Sequence, residues 1–256
     1  MIDSNCCRHE EEDDDDDDEN TVDAKLKPLL DRLEKDIDQV PEKVVAECQP
    51  LSSNSPRAQL IKAKAQDALS RQKRSNQLLE EAINSFSKVL TMAQVPNAFI
   101  QEAANRCVDL MLFRGWNMRA QQVQKLLIQR FPLNATLHNR LGVLHLLSGQ
   151  NGDAKRAFQT VLDRVPDEGF ALGHLGFILK LEATDPKSRQ TPEEQAAVLS
   201  RAVDHLRRGI DSGEPGVSKE GKFYFHLGDG LRRLGRQQSA DQVPLIELQI
   251  SFSSES

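Results

Sequence analysis

Small and large apolar residues return along the middle of this chain in one recurring order. Leu141-Gly142 and Leu175-Gly176 stand 34 residues apart, and Leu227-Gly228 follows at a longer interval. With Ala135 as the start of a unit, Leu141 and Gly142 take its seventh and eighth positions. Ala154 falls on the twentieth, Phe158 on the twenty-fourth, Val161 on the twenty-seventh and Pro166 on the thirty-second. This order of large, small and aromatic positions, closed by a proline, predicts a pair of antiparallel helices per unit. Two helices approach to roughly 8–10 Å only where small side chains face each other. Gly142 is therefore expected opposite Ala154, with Phe158 filling the space beside them. Pro166 donates no backbone N–H and disfavours helix in the residue before it, so it should end the second helix.

A helix–turn–helix period of 34 residues is that of the tetratricopeptide (TPR) repeat. The chain is expected to be all-α, a TPR-like solenoid of helical hairpins. Backward, residues 101–134 keep the register through Ala104, Cys107, Val108, Met111, Ala120, Leu127 and Pro132, with Gln124 in the aromatic slot. Forward, a unit from Gly169 carries Leu172, Leu175, Gly176 and Leu179 before an insertion. Its second helix should resume at Thr191-Pro192-Glu193-Glu194, an N-cap followed by a first-turn proline and an acid at the third position. Ala202, Leu206 and Gly209 then take small, large and small slots. A further unit from Gly221 carries Tyr224, Leu227, Gly228, Leu231 and Ala240, and upstream Ala63, Ala82, Phe86 and Val89 repeat the pattern. The expected division is an acidic, disordered tail over 1–24, an amphipathic helix and linker over 25–56, repeats over 57–242 and a divergent tail over 243–256. In the second segment Lys25 to Val40 reads as one helix with Leu26, Leu29, Leu30, Leu33 and Ile37 on one face. Pro41, Pro50 and the serines before Pro56 break the chain after it.

Composition adds constraints. At 38% hydrophobic the 256 residues can bury a core, in a solenoid one that joins each repeat only to its neighbours. No run approaches the ~20 apolar residues of a membrane span, and the N-terminus lacks the plan of a signal peptide. The net charge of −6 conceals a split, because Glu10–Glu19 is ten consecutive acids and the remainder carries +4. Such a block repels itself into disorder; its alternative role is a weak contact to Ca²⁺ or to a basic protein. Elsewhere Lys and Arg mix with acids instead of forming a stripe, which disfavours nucleic acid. Cys6, Cys7, Cys48 and Cys107 show neither zinc nor disulfide spacing, and Cys107 reads as a small core residue.

Catalytic chemistry is not visible. His145 occupies a packing position, His138, His174 and His205 are isolated on helices, and His226 either packs or faces a groove. His9-Glu10-Glu11 has the spacing of an iron-oxygenase ligand pair without a second histidine to complete it. Gly149-Gln150-Asn151-Gly152 reads as the turn inside a repeat, not as a phosphate loop. No nucleophile–base pair and no metal site are expected. Asn134-Ala135-Thr136 is an N-glycosylation sequon in the turn that opens a repeat.

Several stretches are similar to one family. Ser55-Pro56-Arg57-Ala58, Lys73-Arg74-Ser75-Asn76, Phe131-Pro132-Leu133-Asn134-Ala135-Thr136, Gly169-Phe170-Ala171 and Gly176-Phe177-Ile178-Leu179-Lys180 resemble the TPR region of aspartyl/asparaginyl β-hydroxylase. So do Gly209-Ile210-Asp211-Ser212-Gly213-Glu214-Pro215-Gly216 and Lys222-Phe223-Tyr224-Phe225-His226-Leu227-Gly228-Asp229. The resemblance spans roughly residues 55–240. It implies a luminal region of an endoplasmic reticulum membrane protein, preceded by a membrane helix and an acidic segment. A C-terminal oxygenase would follow it, using Fe(II) and 2-oxoglutarate to hydroxylate Asp or Asn in epidermal-growth-factor-like domains. In this sequence the pattern fails after Ala240, where Val243–Phe252 alternates like a strand, and no counterpart of that oxygenase follows. The expectation is a truncated or spliced product or an incomplete gene model, non-catalytic and without cofactor. Its expected function is binding of polypeptide, epidermal-growth-factor-like domains included, in a concave groove. Repeat geometry lines that groove with the first helix of each unit, which selects Asn139, Phe177, Lys180, Lys222, Asp229 and Arg232.

Overall fold

The computed structural model describes residues 22–243, which form thirteen helices and no strand. The acidic run and the strand-like tail both lie outside the described residues. The chain is all-α, built of TPR-like helical hairpins, and divides into two compact units, one up to Leu110 and one from Met111.

The first unit holds α1 (Val22–Lys35), α2 (Pro41–Cys48), α3 (Pro56–Lys73), α4 (Asn76–Val89) and α5 (Asn97–Phe113) up to the division at Leu110. The helix expected over Lys25–Val40 ends early, and a second, unexpected helix follows it. α1 stops at Lys35, and Pro41, expected to break the chain, opens α2 at a position where its missing N–H costs nothing. Leu30 and Leu33 of α1, with Val44 and Cys48 of α2, bury against Ala58, Ile61 and Ala65 of α3. α1 and α2 therefore share a core with α3. Asp23 fastens the start of α3: its carboxylate accepts from the Ser55 hydroxyl and, at 3.2 Å, from the Arg57 N–H. Arg57 then reaches Asp31 (2.6 Å) and Glu34 (2.9 Å), and Lys64 bridges Glu34 (3.0 Å) to Glu102 of α5 (2.6 Å). Cys107 is fully buried, its Sγ 3.3 Å from the Ser87 hydroxyl, as its core position implied.

The second unit continues with α6 (Asn117–Arg130), α7 (Ala135–Leu147), α8 (Asn151–Leu162), α9 (Gly169–Ala183) and α10 (Pro192–Asp211). It closes with α11 (Pro215–Ser218), α12 (Gly221–Arg233) and α13 (Gln237–Asp241). Gly142, expected opposite Ala154, has the Phe158 ring as its nearest neighbour: a Cβ on Gly142 would lie 2.5 Å from that ring. α8 ends at Leu162, four residues before Pro166. The aromatic slot held by Gln124 is filled by an amide that donates to the Leu137 carbonyl at 2.9 Å. α10 starts with the expected capping box, the Thr191 hydroxyl accepting from the Glu194 N–H and the Glu194 carboxylate from the Thr191 N–H.

α9 and α10 form the tightest seam. A Cβ on Gly176 would come within 2.9 Å of the α10 backbone at Ala202 and Leu206, and one on Gly209 within 2.6 Å of the Gly173 nitrogen. The third Leu-Gly pair behaves differently, and the expectation for Gly228 is corrected. A Cβ there would meet nothing within 4 Å, whereas one on Gly230 would lie 2.8 Å from Val203. The helix after α12 has only five residues, too short to press on Gly228 as α8 presses on Gly142. Gly228→Ala is therefore expected to stabilise the chain by about 0.5–1 kcal/mol, through the lower entropy of the unfolded alanine. Urea unfolding of the two proteins checks it.

One device was invisible in the packing pattern. α3, α5, α7 and α12 each end on a left-handed residue, namely Arg74, Gly115, Gly149 and Gly235. In each turn the next N–H returns to the last helical turn, Ser75 to Ser70, Trp116 to Met111, Gln150 to His145 and Arg236 to Leu231. Those bonds satisfy carbonyls the helix end would otherwise leave open.

Candidate binding face

α9 and α12 of the second unit bring most of the expected groove residues together. On α12, Lys222, Phe225, His226 and Asp229 fall three or four apart and so share a face. Phe177 on α9 meets the His226 ring edge-on at 4.8 Å, and Phe225 also meets that ring edge-on, at 5.3 Å. Phe225 stays 68% exposed. It was not among the residues expected to line the groove, although its position three after Lys222 would have placed it there.

Two expected residues pair with each other. Lys180, buried on α9, donates to Asp229 at 2.7 Å, and Arg233 reaches the same oxygen at 3.0 Å. Burial alone would raise the Asp229 carboxyl; the bonds from Lys180 and Arg233 outweigh it and hold it below the ordinary carboxylate value. The pair ties α9 to α12. Lys222 is exposed, its ammonium 4.9 Å over the Phe223 ring. Arg232 is also exposed, 4.0 Å from Asp241. Asn139 stands on α7, buried, with its Oδ1 lacking a hydrogen-bond partner. Asn134 caps α7, its Oδ1 accepting from the Leu137 N–H at 3.2 Å.

The histidines divide by surroundings. His145 is buried, and its Nδ1 donates to the Gln150 amide oxygen at 2.7 Å, a packing role as expected. His174 stacks on Phe170 (4.1 Å) and Phe158 (5.2 Å) and lies edge-on to Phe223 (5.0 Å). Its Nδ1 donates to the Phe170 carbonyl at 2.9 Å. Burial pushes its pKa from 6.5 down to about 4, against the opposing effect of that carbonyl. Burial also lowers His205 and His226, the latter with help from Lys180. Unfolded, these rings bind a proton near pH 6.5; folded, they resist it. The unfolded state then holds more protons, so stability falls as pH drops from about 6.5 towards about 4. Thermal midpoints between pH 7.5 and 4.5, above the range of most carboxylates, should decline, and His174→Gln should flatten the decline.

Among the described residues no three His, Cys, Asp or Glu side chains converge on a point where a metal could sit, and no helix is long and apolar enough to cross a membrane. His9-Glu10-Glu11 lies outside the described residues.

No family model matches the chain. Over 185 residues it is 35% identical to aspartyl/asparaginyl beta-hydroxylase of Homo sapiens, an alignment covering 72% of this chain and 22% of that protein. The same identity over the same length relates it to the aspartyl/asparaginyl beta-hydroxylase of Mus musculus, covering 23% of that protein. The chain thus matches less than a quarter of the length of these relatives, and the extent is consistent with their TPR region. Its fold is like that of BtubC from P. vanneervenii, with a TM-score of 0.52 at 16% identity over 82% of this chain and 87% of the other.

Proposed function

We propose that this chain is a non-catalytic, polypeptide-binding TPR module of an aspartyl/asparaginyl β-hydroxylase-like protein, and that α9 and α12 present its recognition surface. The observation that carries the reading is Phe225, an aromatic ring two-thirds exposed against His226, whose own ring also meets Phe177. Exposed aromatic rings give large contact area at low entropic cost and are enriched where proteins bind one another. The kinship supports an epidermal-growth-factor-like domain as the polypeptide. It equally supports a setting in which Fe(II) and 2-oxoglutarate chemistry is carried out by an oxygenase domain and not by these helices. In such a setting a glycan on Asn134 would leave its Oδ1 free to cap α7, and a mobility shift on glycosidase treatment reports it.

The test is calorimetry of the chain with a folded epidermal-growth-factor-like domain. Binding should weaken at least tenfold in Phe225→Ala, a substitution at an exposed site with little cost to folding. Equal binding by the variant, or no heat with either protein, rejects the surface. Incubating the chain and that domain with iron and 2-oxoglutarate should give no hydroxylated product; product above the blank would make the chain itself an enzyme.

A further inference from the structure

The first unit contains an open cleft of about 580 Å³ between α1, α3 and α5, walled on its apolar side by Ile37 and Phe86. Five carboxylates line it against three cations, Lys64, Arg71 and Arg106. Two of the cations are already committed. Lys64 lies between Glu34 and Glu102, and Arg106 turns Nε (2.9 Å) and Nη2 (2.5 Å) onto Asp67 Oδ2. The third is loosely placed: the side chain of Arg71 is 63% exposed and its nitrogen stands 3.7 Å from the same Oδ2. Asp67 itself is 3% exposed, and its second oxygen, Oδ1, accepts no hydrogen bond. A buried carboxylate oxygen without a donor costs free energy that a donor would recover.

We infer that this cleft receives the guanidinium or ammonium group of a basic side chain on a polypeptide ligand, with Asp67 Oδ1 as its principal acceptor. The inference rests on the reading of the chain as a polypeptide-binding module and adds a second, chemically distinct point of contact. A planar guanidinium suits the position, since it can bond in-plane to a carboxylate while its methylenes lie along Ile37. Arg71, held by no hydrogen bond to Asp67, is the group that yields the space. Asp38, exposed at the rim, adds attraction from outside. The negative excess of the lining disfavours a carboxylate or phosphate ligand.

The whole chain is titrated with acetyl-Gly-Gly-Arg-Gly-Gly-amide, observed by nuclear magnetic resonance. Peptides with lysine, citrulline or glutamate in the central place, and calcium chloride alone, are the other arms. Perturbations should centre on Asp67 and Asp38. Citrulline, isosteric but uncharged, should bind at least tenfold more weakly and glutamate not at all. Asp67→Asn should abolish binding. Asp38→Asn, at an exposed site that spares the fold, should weaken it about threefold and keeps the test valid should the first variant fail to fold. Phe225→Ala should leave it unchanged, so that failure here is separable from failure of the α9–α12 surface. Citrulline binding as well as arginine, indifference to both aspartate substitutions, or calcium occupying these residues while the peptide leaves them unperturbed would overturn the assignment.

Discussion

Phe158→Ala is expected to destabilise the chain by roughly 3–5 kcal/mol, the range for deleting a fully buried aromatic ring. The ring is 0% exposed and serves three neighbours at once. It lies on Gly142 of α7, with the Phe170 ring at 6.4 Å and the His174 ring at 5.2 Å. The residues around it are poorly suited to refill the void. Gly142 has no side chain, Ala154 has one methyl, and His174 is held by its bond to the Phe170 carbonyl. The loss therefore combines transfer and cavity terms. Urea unfolding should show a lower midpoint at constant slope, and a change below about 1 kcal/mol would mean that the ring does not hold α7 to α8.

Gly209→Val should cost about 3 kcal/mol or more, at or beyond the upper end for overpacking. The added Cβ would stand 2.6 Å from the Gly173 nitrogen, 2.8 Å from its Cα and 3.0 Å from the Gly169 carbonyl oxygen. All three are backbone atoms of α9, so no side chain can swing aside. The helices must separate, and the seam they share also positions His174 and Lys180. The variant should accordingly lose part of the acid dependence assigned to His174 as well as stability, which calorimetric unfolding at pH 7 and pH 5 would register.

How far these features could be read in advance depended on whether one helix pair or several had to be in place. The close approach of α7 and α8 at Gly142 was legible because two neighbouring helices come together only where a small residue stands at a fixed spacing, although the nearest atoms there are those of the Phe158 ring. The same rule failed at Gly228, where the helix that should supply the pressure is too short, and the close approach passes to Gly230. α2 was hidden by its eight residues and by prolines that read equally as breaks or as first-turn residues. Phe225 was missed because it belongs to a stretch rich in aromatics whose buried member is Phe223. The cleft was the least legible. Asp67 and Arg106 are 39 residues apart on different helices, each in a run of mixed charge indistinguishable from a solvated face. Only their side-by-side packing makes one a partner and leaves an oxygen of the other unused.

The clasp formed by Asp23 sets a practical limit on where the chain can be trimmed. A recombinant fragment beginning at Val22 retains the carboxylate that receives Ser55 and the Arg57 N–H, and should fold its first five helices with full cooperativity. One beginning only three residues later, at Lys25, would expose the front of α3 to solvent. Protease digestion should then cut first near Pro56, well inside a region whose own sequence is intact.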